Sequence, residues 1–110
     1  MQTLPTWGGR THFQYEGSVP NGTVIYYGRG RNGEGWRVRV SAHQYEALRH
    51  HFLGQVVPVG TSHTDPPPGS LGAWLQENVT RVGIASYVAP ILVHEGYAER
   101  VGRHYMCITR

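Results

Sequence analysis

Lysine is absent from this chain of 110 residues, and cysteine occurs once. The single thiol, Cys107, excludes an internal disulfide and any zinc site built on a cysteine pair. It falls at an apolar position of a strand-like run, which predicts a buried structural thiol and an intracellular, cytoplasmic setting. No stretch approaches the roughly 20 apolar residues that span a bilayer, so a membrane helix is excluded and no membrane partner is expected. The opening run MQTLPTWGGR lacks the basic-then-apolar layout of a secretory leader. Acids are sparse and scattered, at Glu16, Glu34, Glu46, Asp65, Glu77, Glu95 and Glu99. No paired-carboxylate motif, serine elbow or Cys/His nucleophile arrangement appears, and the expectation is a protein that is not an enzyme and needs no cofactor.

What the chain does carry is arginine, which supplies all ten of its basic side chains. A formal net charge of +3 and a pI near 9.4 permit nucleic-acid binding without demanding it. Whatever the origin of arginine in place of lysine, the physical consequence stands. A guanidinium presents a planar fork of donors that suits phosphates and guanine edges better than an ammonium group. Seven histidines could add positive charge below about pH 6.5.

The length fits one domain, 1–110, with a single core. Residues 1–21, punctuated by Pro5, Gly8, Gly9, Gly17, Pro20 and Asn21, read as irregular, with Trp7, Phe13 and Tyr15 as anchors. Residues 22–41 read as an arginine-rich β-hairpin. Its strands are Thr23–Gly28 and Trp36–Val40, with an Asn32-Gly33 turn between them. Trp36, Val38 and Val40 alternate inward against Arg37 and Arg39. Ser41 caps a helix with Tyr45, Leu48, Phe52 and Leu53 at helical spacing, closed by Gly54. Gln55–Gly60 reads as a short strand placed at an edge by Pro58. Three prolines stiffen the loop before Ser70, which caps a helix with Leu71, Trp74, Leu75 and Val79 inward. Thr80 is expected to cap the next helix, with Ile84, Ala85, Val88, Ile91 and Leu92 inward and Gly96 at its end. Pro90 should kink or divide it. Tyr97–Val101 and His104–Thr109 close the chain as a hairpin around Gly102-Arg103.

Within residues 42–110, the runs LGAWLQENVT and ILVHEGYAERVGRHYMCI resemble the positioning helix and the helix-to-wing junction of the winged helix-turn-helix family. The fold expected is therefore α+β: an N-terminal β-hairpin followed by a winged helix-turn-helix-like domain. The resemblance implies duplex DNA binding, with helix 80–95 in the major groove. Thr80, Arg81, Ser86 and Tyr87 would face the groove, Arg81 being the side chain suited to guanine. Arg100, Arg103 and His104 would lie on the wing, against backbone or minor groove. A homodimer would multiply the few contacts that one module offers.

Two further readings stay open. The outer helical face of Gly83, Tyr87, Pro90 and His94 is small and weakly polar, and could instead dock a protein partner. The hairpin's Arg29, Arg31, Arg37 and Arg39, beside Tyr26, Tyr27 and Trp36, could hold phosphates and bases of single-stranded DNA or RNA. They could equally be a solvated face over core aromatics. The histidines carry no metal pattern: His43, His50 and His51 lack the i, i+4 spacing of a zinc helix. His63 and Asp65 fit hydrogen bonds that order their loop.

Overall fold

The computed structural model describes residues 1–28 and 35–110; the segment 29–34, with Arg29, Arg31 and the expected Asn32-Gly33 turn, lies outside the described residues. The chain is α+β, with a four-stranded antiparallel sheet followed by helices and a second, three-stranded sheet.

The first sheet is a meander of β1 (Gln2–Pro5), β2 (His12–Ser18), β3 (Gly22–Tyr27) and β4 (Trp36–Val40). The irregular segment expected over 1–21 is thus two strands joined by a tight turn, and the expected hairpin is half of a larger sheet. Leu4, Phe13 and Tyr15 supply the alternation that burial of one face requires, and the prolines and most of the glycines of 1–21 mark strand ends. Phe13, Tyr15, Ile25 and Val40 are buried on the inner face, while Arg37 and Arg39 stand on the outer one. Trp36 departs from the expected pattern. It is 63% exposed at the first residue of β4, although its register partner Tyr27 packs on Tyr87.

Helix α1 (Ala42–Phe52) starts where expected. The Ser41 hydroxyl accepts from the Gln44 amide at 3.0 Å, and Gln44 Oε1 accepts from the Ser41 amide at 2.9 Å, a reciprocal capping box. Tyr45, Leu48 and Phe52 are buried, whereas Leu53 lies outside the stripe and is exposed. Strand β5 (Val56–Pro58) is the edge of the second sheet, as Pro58 predicts, and β6 (Ala98–Val101) and β7 (Tyr105–Ile108) complete it in the order β5-β7-β6. Cys107 sits half-buried on the outward side of β7 rather than in the core. Helix α2 (Leu71–Asn78) is capped by Ser70, whose Oγ accepts from the Ala73 amide at 3.1 Å.

Helix α3 (Ala85–His94) begins five residues after Thr80. Thr80 is not its N-cap; its hydroxyl accepts a long 3.4 Å bond from the Val82 amide, and Ile84 occupies the cap with no side-chain bond. Ala85, Val88, Ala89, Ile91 and Leu92 are buried, and Ser86, Tyr87, Pro90 and Val93 are half-buried, so His94 alone in the helix is exposed. A helix apolar nearly all round is a core helix. The sheet covers the side that sequence reasoning left open: Tyr87 stacks on Tyr27 at 4.7 Å between centroids and meets Phe13 at 5.2 Å.

Glu95, just past α3, fastens the same sheet. Its carboxylate accepts from the Tyr15 hydroxyl at 2.7 Å and from the Val19 amide at 2.9 Å. Burial first, then this carboxylate, pushes the Tyr15 phenol above its ordinary value, and burial does the same to Tyr45. A raised tyrosine pKa contributes stability that is intact below about pH 10 and is lost as pH rises from there through the folded value. Urea midpoints between about pH 8 and about pH 11 should therefore fall steeply above about pH 10, and less steeply in Tyr15→Phe. Equal slopes in the two proteins would refute this origin of alkaline instability.

Candidate nucleic-acid interface

The site begins with a missing donor. Pro90 has no amide hydrogen, so within a regular helix the Ser86 carbonyl four residues earlier loses its partner. The Trp7 amide supplies the replacement, donating to Ser86 O at 2.9 Å. Helix α3 accordingly runs through Pro90 as one segment, so the division, one of the two outcomes expected of this proline, does not occur. The same bond sets the β1–β2 turn beside the first turn of α3.

That turn is closed by Thr6 N–H to Thr11 O and Gly9 N–H to Thr6 O, each 2.9 Å, with Gly9 in the left-handed region at φ +76°. The turn drives Trp7 inward until only 5% of it remains exposed. Its indole Nε1–H donates to Arg103 O at 2.6 Å, and the Arg100 guanidinium lies 4.0 Å from its ring centroid. Arg100 also donates from Nε to Gly102 O at 3.1 Å, which fixes the β6–β7 tip. Trp7 therefore joins the β1–β2 turn, α3 and the β6–β7 hairpin through one side chain and its amide.

Between these three parts and the loop at 61–63 lies a cleft of about 620 Å³. Arg10, Arg100 and Arg103 line it, with His63 and His104, the hydroxyl residues Thr6, Thr11, Thr61 and Ser86, and Tyr87 in the wall. Among the described residues no carboxylate lines the cleft. A concave surface of one charge sign focuses potential and concentrates anions. Guanidinium forks and hydroxyls are the donors that phosphate oxygens accept best.

The sequence-predicted residues divide among three places. Ser86, Tyr87, Arg100, Arg103 and His104 converge on this cleft. Thr80 and Arg81 precede α3, and Arg81 lines a separate cleft of about 580 Å³ with Asp65, Glu77 and His63, two acids beside it. Arg37 and Arg39 lie on the outer face of the four-stranded sheet. Arg29 and Arg31 lie outside the described residues. Of the outer α3 face expected from sequence, Gly83 is buried against His63, Tyr87 and Pro90 are half-buried with Tyr87 packed on the sheet, and His94 is exposed.

Sequence reasoning missed Arg10, Thr61 and His63 as neighbours of the β6–β7 hairpin. The run WGGR did hold a signal, an anchor aromatic before a tight turn, but nothing local says what a turn touches. The loop is ordered through main-chain groups of His63 and Asp65 instead of the side chains expected: Gln76 Nε2 donates to His63 O at 3.0 Å, and the Asp65 amide donates to Ser62 Oγ at 3.1 Å. Compared with known protein families, curated proteins and solved structures, this chain matches none.

Proposed function

We propose that this protein binds nucleic acid without catalysis, gripping the phosphate backbone of duplex DNA in the cleft between the wing and the β1–β2 turn. The observation that carries the reading is the convergence of Arg10, Arg100 and Arg103 with two histidines on a cleft lined by no carboxylate among the described residues. The order α1, β5, α2, α3, β6, β7 supports the winged-helix reading, with the wing as the contacting part. Helix α3 stays in the core and reads no bases, so the binding is electrostatic and weakly selective for sequence. A second copy on the same duplex would multiply a modest affinity.

Fluorescence anisotropy of a labelled random duplex tests it at about 50 mM and about 200 mM salt. Three backbone contacts give a log–log salt slope near about −2.7. Arg10→Ala combined with Arg103→Ala should weaken binding at low salt at least about ten-fold and flatten the slope by about two. Arg81→Ala, with its charge beside Asp65 and Glu77, should change little. No duplex binding at low salt, or an unchanged slope in the double variant, would sink the reading.

A further inference from the structure

The outer face of the four-stranded sheet carries a second groove, of about 740 Å³, that the wing cleft does not use. Strand register builds it. Thr3 lies opposite Gln14, Gln14 opposite Tyr26, and Tyr26 opposite Arg37, so these four side chains form one row across the sheet. His12 stands in the next row toward the β1–β2 turn. Two contacts order the row: Gln14 Nε2 donates to Thr3 Oγ1 at 3.4 Å, and the Tyr26 hydroxyl donates to the Glu16 carboxylate. The second contact tethers the far end of the phenol toward β2 and engages the acid nearest the row. Arg39 follows Arg37 on the same face, opposite Val24.

We infer that this face holds a segment of single-stranded nucleic acid, with a base stacked on Tyr26 and its phosphates on Arg37 and Arg39. Charge selects the class of occupant: Arg37 and His12 line the groove and among the described residues no carboxylate does, while Arg39 lies just beyond it in the row it shares with Val24 and Glu16, the acid that the Tyr26 hydroxyl engages. Shape selects within the class. A B-form major groove about 12 Å wide admits a helix or a two-stranded ribbon. Four strands about 4.8 Å apart make a flat platform too broad to enter it. An unpaired strand can lie across such a platform, because every base offers a stacking face while arginines track the backbone. Thr11 lines the wing cleft and His12, the next residue, lines the groove.

The test titrates labelled oligo-dT and oligo-rU of about 15 nucleotides, and the random duplex, into the whole protein. Tyr26→Ala should weaken single-strand binding at least about five-fold and leave duplex binding unchanged, whereas Tyr26→Phe keeps the stacking face and should retain most of the affinity. Arg37→Ala with Arg39→Ala changes two exposed side chains and should lower single-strand affinity and its salt slope, which keeps the question decidable if Tyr26→Ala folds poorly. The two oligomers distinguish DNA from RNA as the source of the strand. Failure of the wild-type protein to bind either oligomer, or single-strand affinity unchanged by both the tyrosine-to-alanine and the double arginine variants, would overturn the inference. Loss of duplex binding alone in Arg10→Ala with Arg103→Ala concerns the cleft and leaves this site intact.

Discussion

Trp7→Ala should lower the unfolding free energy by about 3–5 kcal/mol, read as a fall in urea midpoint at constant slope. The residue is 5% exposed, and its removal empties the junction of the β1–β2 turn, α3 and the β6–β7 hairpin. Three losses combine: the buried area of the ring, the indole bond to Arg103 O, and the face over which the Arg100 guanidinium sits. The main-chain bond from residue 7 to Ser86 survives in principle, but the turn loses its side-chain hold on α3 and the β6–β7 hairpin. Trp7→Phe separates the contributions, since it keeps most of the apolar volume and deletes the indole donor; about 1 kcal/mol is expected. The cleft depends on the same anchor, so duplex binding should fall in Trp7→Ala under conditions where the variant remains folded. A cost below about 1 kcal/mol for Trp7→Ala would show that the sheet is fastened to the body by other contacts.

Gly72→Ala should destabilise by about 3 kcal/mol, despite placing a better helix former in α2. Gly72 is the second residue of that helix and is buried against the strand-loop at 59–60. Its amide donates to Val59 O at 2.9 Å, and a Cβ there would overlap the Gly60 carbonyl oxygen. Both sides of the clash are backbone. Relief therefore requires α2 to move away from β5 and its loop, which a side-chain rotation cannot achieve. The propensity gain of alanine over glycine, about 1 kcal/mol, is smaller than this cost. Gly8→Ala is the control: no atom lies within 4 Å of its Cβ position, and its stability should stay within about 0.5 kcal/mol of the parent. Similar midpoints for the two variants would mean that the α2 approach is loose.

Those two positions mark where sequence reasoning worked and where it stopped. The caps at Ser41 and Ser70, the buried stripe Tyr45, Leu48 and Phe52, the edge strand at Pro58 and the closing hairpin were legible, because each follows from residues within one or two turns of each other. The α3 start was misplaced for a related reason. Thr80 has the chemistry of a cap, but the turn at 80–84 is held by Gly83 against His63, a contact that no periodicity reveals. The first strands were hidden behind glycines and prolines, which resemble loop signals until the tight turn between two short strands is recognised. Tyr87 was correctly seen to lie off the main stripe, but its covering sheet comes from the other end of the chain.

By itself the sequence determined the α+β class, most helix and strand identities, the abundance of guanidinium groups and the scatter of the acids. Local hydrogen bonding and apolar spacing specify such features. Tertiary structure alone decided which arginines share a cleft and why a proline sits inside an unbroken helix. Those outcomes rest on contacts between residues far apart in the chain, 96 positions from Trp7 to Arg103 and 80 from Tyr15 to Glu95. Closing loops of that length costs conformational entropy, and the return comes only when the whole core assembles. The site is therefore a property of the packed molecule, absent from any short segment of it.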